Sequence, residues 1–84
     1  MDNNKMLIEF IRQPAVTAMT GLSRSVLYAH VQRGLFTPPI HLGPQTAVWP
    51  RHEINAINAA RLASKSEDEI REVVKAMIAD RGRQ

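Results

Sequence analysis

Eighty-four residues without a cysteine make one small domain with no disulfide or thiolate-bound metal to staple it, so a single apolar core must hold it. Hydrophobic residues at 44 % and charged residues at 23 % are globular values that exclude wholesale disorder, and no stretch approaches transmembrane length. The net charge of +3 is unevenly placed: Arg12 to Arg61 carry five arginines and one acid, Lys65 to Asp80 three cations and five acids, so a polyanion is drawn to the centre and not to the tail.

The N-terminal Met-Asp-Asn-Asn-Lys lacks the basic start and long apolar run of a signal peptide. With cysteine absent, a reducing cytoplasm is the expected location. Met6 to Ile11 is a short apolar run broken by Glu9. We read it as a brief strand leading into Arg12, with the end of a frayed helix as the alternative. Pro14 suits the first turn of a helix, where its missing N–H is no loss, and Gly21 supplies the left-handed turn that ends it.

Ser23 is a good N-cap for a second helix, closed by Gly34. Leu22, Val26, Leu27 and Val31 recur at near-helical spacing and are expected to face inward, leaving Arg24, Ser25, Tyr28, Ala29 and Gln32 on the other side. Two helices joined by such a turn form a helix-turn-helix, an arrangement that holds its second helix clear of the surface for the major groove of DNA. Leu35 to Pro39 is a non-helical connector, because paired prolines disfavour helix on both sides. Ile40 to Leu42 and Ala47 to Trp49 read as two short strands around the turn Gly43-Pro44-Gln45-Thr46, a hairpin placed as a wing.

Pro50 opens a third helix with Ile54, Ile57 and Leu62 among its apolar positions, interrupted by Ser64-Lys65-Ser66. Ser66 and Glu69 form a capping box. Ile70, Val73, Val74, Met77 and Ile78 then make a stripe at i, i+3, i+4, i+7 and i+8. This fourth helix either folds back on the domain or pairs with its copy in a second chain, those five residues being the dimerisation candidates. Arg81-Gly-Arg-Gln reads as a frayed end.

Arg24, in the first turn of the second helix, suits either two hydrogen bonds to guanine or one phosphate contact. Ser23 and Ser25 offer hydroxyls beside a helix N-terminus that attracts phosphate, although a cap alone accounts for Ser23. Tyr28 either packs its ring inward and aims its hydroxyl at a phosphate or simply packs. Gln32 and Arg33 suit backbone contacts. His41, Gln45 and Thr46 on the wing stand within reach of the minor groove or adjacent phosphates. Trp49, Phe36 and Met19 read as core. The three histidines have neither cysteine partners nor a metal-binding spacing, so no metal and no cofactor is expected. Glu67, Asp68, Glu69 and Glu72 complement a helix N-terminus, and with no nucleophile–base set or phosphate loop the chain does not read as an enzyme.

Arg12-Gln-Pro-Ala-Val, Thr20-Gly-Leu-Ser-Arg-Ser-Val-Leu-Tyr, Gly34-Leu-Phe, Leu42-Gly-Pro, Val48-Trp49 and Glu53-Ile54 together resemble the AlpA family of phage and prophage regulators. These are similar to MerR-type winged helix-turn-helix proteins and to phage excisionases, and the resemblance spans residues 10 to 63. It implies a small DNA-binding protein of mobile elements that activates or represses genes or assists excision. Relatives of this kind commonly carry a cation where this chain has Ala29, His41 and Gln45, and the loss of three lowers the electrostatic attraction to DNA. Thr37 replaces a proline and Ile57 a tryptophan. Dimerisation through C-terminal helices is a further implication, and two half-sites bound together gain from effective concentration.

The expectation is a mainly α fold with a small β wing: a winged helix-turn-helix at residues 10–63 of MerR or excisionase type, plus a C-terminal amphipathic helix at 66–80. It binds double-stranded DNA as a transcriptional regulator, with Ser23, Arg24, Ser25, Tyr28, Ala29, Gln32, Arg33, His41, Gln45 and Thr46 at the interface. The alternatives are an excisionase-like factor that bends DNA for an integrase, or an adaptor that docks a protein on the Ile70–Ile78 stripe. Expected partners are DNA, a second copy, and an integrase or RNA polymerase, with no membrane.

Overall fold

The computed structural model describes residues 7 to 82, so Met6 and the last two residues of the expected frayed end lie outside it. In chain order it contains β1 (Phe10–Arg12), α1 (Gln13–Thr20), α2 (Arg24–Gln32), β2 (Ile40–Gly43), β3 (Thr46–Pro50), α3 (Arg51–Leu62) and α4 (Glu67–Arg81). This is a mainly helical, winged-helix-like fold with a C-terminal helix. Among the described residues no helix is long and apolar enough to cross a membrane.

The sheet has three strands where sequence reasoning leads one to expect a two-stranded wing beside a separate strand. Its order is β1-β3-β2, all antiparallel. Ile11 sits opposite Trp49, and the Arg51 amide donates to the Glu9 carbonyl just beyond, so β1 anchors the base of the wing. At the other end Gly43 faces Thr46 across the two-residue turn Pro44-Gln45, with a bulge between His41 and Gly43.

Trp49 and Phe36 fill the middle of the core with Val16, Leu27, Leu35, Ile54 and Ile57, and Met19 packs against its edge. The Trp49 indole N–H donates to the Thr37 carbonyl at 2.7 Å, which satisfies the one polar group that burying tryptophan brings with it. Thr37 is itself fully buried, and its hydroxyl has no hydrogen-bond partner among the described residues.

The ends of the helices explain how α2 is held. Gly21, at φ 74°, donates its amide to the Thr17 carbonyl and turns the chain out of α1. Ser23 caps α2 by accepting the Val26 amide at 3.2 Å. At the far end Gly34 takes φ 75°, its amide bonds Val31, and the Leu35 amide bonds His30 at 2.8 Å. That is a Schellman motif, and it drives Leu35 into the core. From α3, Asn58 donates to the Met19 carbonyl at 3.1 Å and covers an open carbonyl of α1.

Two expectations need correction, and one apolar position lies outside the core. Val26 is exposed, because it lies 100° from Leu27 and further still from Val31, off the stripe those two define. Leu62 is almost fully exposed, since the helix ends there and turns away through Ser64 at φ 59°. Arg81 is no frayed end. It is the last residue of α4, and its guanidinium grips both carboxylate oxygens of Glu53, at 2.7 and 2.9 Å, and the Pro38 carbonyl at 2.9 Å.

The same pair closes α4 onto α3. Glu53 is 1 % exposed, so its charge depends on this two-pronged contact for compensation. Ile70 and Val74 join the core cluster beside it. The capping box at Ser66 and Glu69 forms as expected, with reciprocal bonds of 3.1 and 2.8 Å. The hydrogen bond from the Ser66 amide, helped by Lys65, holds the Glu69 carboxyl below its ordinary pKa.

Candidate nucleic-acid interface

The N-terminal half of α2 and the wing meet around a hollow of about 300 Å3. Arg24 and Tyr28 line it from α2, and Gln45, Thr46 and Ala47 line it from the wing. Arg12, Gln13 and Pro14 close it from the junction of β1 and α1. A shallower recess next to it is lined by Ser23, Arg24, Ser25 and Tyr28. Six of the ten residues expected at the interface are therefore gathered here. His41 pairs with Ala47 across the hairpin, which puts it on the hollow's face of the sheet.

Ser23 and Ser25 are exposed, their hydroxyls 3.4 Å apart. Ala29 and Gln32 are exposed on the outward side of α2. Arg33 lies nine residues beyond Arg24, about 13 Å along the axis and half a turn round it. Gln32 and Arg33 thus stand apart from the hollow.

Two arginines of the hollow, Arg12 and Arg24, are exposed and form no ion pair among the described residues. Arg24 instead lies over an aromatic ring, its guanidinium carbon 5.7 Å from the centroid of Tyr28. The Tyr28 ring stands edge-on to Trp49 at 5.9 Å and 65°, and Trp49 is edge-on to Phe36 at 6.2 Å and 76°. Arg12 was missed as a site residue by sequence reasoning. The signal available was a cation directly before a helix that carries proline in its first turn.

The far end of α2 is different. Arg33 donates to both oxygens of Glu67 at 3.1 Å, and Arg71 donates to the Arg33 carbonyl at 2.9 Å. Arg61 reaches the ring nitrogen of His30 at 3.5 Å. Burial, with the charges of Arg61 and Arg33, lowers the His30 pKa from its ordinary value against an opposing pull from Glu67.

The candidates for dimerisation divide. Ile70 and Val74 are spent on the chain's own core, Val73 and Met77 are half-buried, and Ile78 is exposed. A second hollow of about 260 Å3, walled by Ile8, Phe10, Ile40, Pro50 and Met77, lies on the opposite face of the sheet. The Glu53 and Arg81 charges at its edge are committed to each other. Among the described residues no group of three histidines or carboxylates is placed to hold a metal ion.

No solved structure matches the chain. It is 38 % identical over 56 residues to "Uncharacterized protein ORF88" of Enterobacteria phage P4, an alignment covering 67 % of this chain and 64 % of that protein, so it spans less than two thirds of its relative's length. Residues 9–62, which hold the helix pair, the wing and α3, match the family model described as "Prophage CP4-57 regulatory protein (AlpA)". The chain belongs to this AlpA family of prophage regulatory proteins.

Proposed function

We propose that the chain binds a specific double-stranded DNA site with α2 in the major groove and the β2–β3 wing lying against the adjacent backbone. The observation that carries this reading is the convergence of Arg12, Arg24, Gln45 and Thr46 on one hollow, with neither arginine in an ion pair among the described residues. Elsewhere Arg33, Arg51, Arg71 and Arg81 are matched to carboxylates, and Arg61 reaches the His30 ring. A cation left without an internal partner at a concave, exposed site is suited to an external anion.

The roles follow from reach. Arg24, in the first turn of α2, is placed where recognition helices contact base edges, and two hydrogen bonds to a guanine suit its planar fork. Ser25, Ala29 and Gln32 share the outward side of α2, and the exposed Val26 offers an apolar contact of the kind thymine methyls accept. Arg12, with Gln45, Thr46 and His41, takes the phosphates on the wing side, fixing register without reading sequence.

The test is selection of duplexes from a random pool, followed by titration of the winner over a range of salt. The reading expects an enriched motif and an affinity that falls steeply as salt rises. A pool that stays random, with salt-insensitive retention or none, refutes it.

A further inference from the structure

Arg24 is a long side chain at an exposed helix end, with no carboxylate among the described residues to fix it. A flexible cation in that position serves as a charge but not as a ruler, because its guanidinium samples many orientations before contact. One device limits this freedom. Tyr28 lies four residues on, one turn along α2, and its ring sits beneath the guanidinium within the range of a cation–π contact. That ring is not free to swing. It stands edge-on against Trp49, which is fully buried, tied to the Thr37 carbonyl and edge-on in turn to Phe36.

We propose that Tyr28 is a positioning residue: its ring, braced on the buried Trp49, holds the Arg24 guanidinium at the mouth of the hollow in the orientation used to read DNA. The inference rests on the DNA-binding reading for its purpose, though the alignment itself exists in the free protein. It departs from the simpler role of a tyrosine hydroxyl touching a phosphate, because here the ring face acts and the hydroxyl is dispensable. Preorganising one rotamer-rich side chain corresponds to about 2- to 10-fold in affinity. That gain falls on the cognate duplex, where orientation counts, and not on non-specific binding, where any cation serves.

The experiment compares the full chain with Tyr28→Phe and Tyr28→Leu, each also combined with Arg24→Ala. Thermal melts establish that each variant folds. In the free protein, NMR of the Arg24 δ protons reads the ring current directly. Wild type and Tyr28→Phe should show them shifted upfield, and Tyr28→Leu should not. With the duplex selected from the pool and a scrambled duplex of equal composition, Tyr28→Leu should lower the specificity ratio about 2- to 10-fold. Tyr28→Phe should preserve the ratio, and the salt slope should not move. In the Arg24→Ala background Tyr28→Leu should change nothing further.

Unshifted Arg24 protons in the wild type overturn the proposal. So does a loss in Tyr28→Phe equal to that in Tyr28→Leu, which would assign the effect to the hydroxyl. A Tyr28→Leu loss that persists without Arg24 overturns it as well. If no duplex is bound at all, the DNA reading fails while the ring-current measurement still decides the alignment. If Tyr28→Leu does not fold, the wild-type shift and the Tyr28→Phe titration decide it.

Discussion

The two ends of α2 carry one arginine each and treat it in opposite ways. At the C-terminal end Arg33 is gripped by Glu67, Arg71 holds its carbonyl, and Arg61 and His30 crowd beside it. At the N-terminal end Arg24 has only the Tyr28 ring beneath it and open space in front, with Arg12 across the hollow. The difference extends beyond the helix: α4 draws Arg33, Arg71 and Arg81 into pairs on one side, and Arg12 and Arg24 beside the wing have no carboxylate among the described residues. Net charge alone is therefore a poor guide to where this protein leaves positive charge uncompensated. The acidic start of α4 neutralises one end of the helix and so directs the attraction to the other.

The held face breaks most severely at Arg81. Arg81→Ala strands the Glu53 carboxylate inside the protein, and the expected cost is about 3–5 kcal/mol in urea denaturation. Glu53→Leu combined with Arg81→Met should recover most of it, since an apolar pair of similar volume needs no compensation. A cost below about 1 kcal/mol for Arg81→Ala would make the contact an ordinary surface pair. At the open face the leading test is Arg24→Ala, which should weaken the cognate duplex by about 1–3 kcal/mol and relax the preference at one base pair. Equal weakening on every sequence would turn Arg24 into a phosphate contact.

How α4 reaches back is a smaller test. The chain leaves α3 through Ser64 at φ 59°, with its amide on the Arg61 carbonyl and the Lys65 amide on the Ala60 carbonyl. This is the geometry that Gly34 adopts at the end of α2, here taken by a residue with a side chain. Ser64→Gly should raise stability by about 1 kcal/mol, read as a higher denaturation midpoint at unchanged slope. A loss of stability would show that the serine conformation is not strained.

Signals that act over one turn were legible in the sequence. Ser23 and Gly34 bracket α2, Gly21 ends α1, and Ser66 with Glu69 opens α4, because a cap and the amide it serves are at most three or four residues apart. The hollow was legible by half. Arg24, Tyr28, Gln45 and Thr46 were expected near DNA from their place on a helix and a turn. Arg12 joins them only because β1 pairs with β3, and nothing local announces a pairing between Ile11 and Trp49. Glu53 and Arg81 were illegible for the same reason: an acid in a first helical turn and a cation in a last one each look complete alone.

Salt dependence compares an arginine of the hollow with one at the held end of α2. Arg12→Ala should reduce the slope of log affinity against log salt by about one, as expected for one lost phosphate contact. Arg33→Ala should leave it unchanged, because Glu67 already neutralises that charge. Equal losses from both would mean that the ion pair opens on DNA and that the held end is not held.

The smallest expected effect concerns pH and sits wholly at the held end. Burial chiefly, then Arg61 and Arg33, keep the His30 pKa below its ordinary value in the folded protein. On acidification the unfolded chain therefore takes up this proton first, and stability present above the ordinary imidazole range is lost as pH falls through it. Denaturation midpoints measured from about pH 8 to about pH 5 should decline, and His30→Gln should flatten that part of the profile. The Glu69 contribution, lost only at more acid pH as its depressed carboxyl protonates, should survive the substitution. A His30→Gln profile as steep as the wild type would place the acid sensitivity elsewhere, and the crowding of cations at this end of α2 would then have no energetic consequence at that ring.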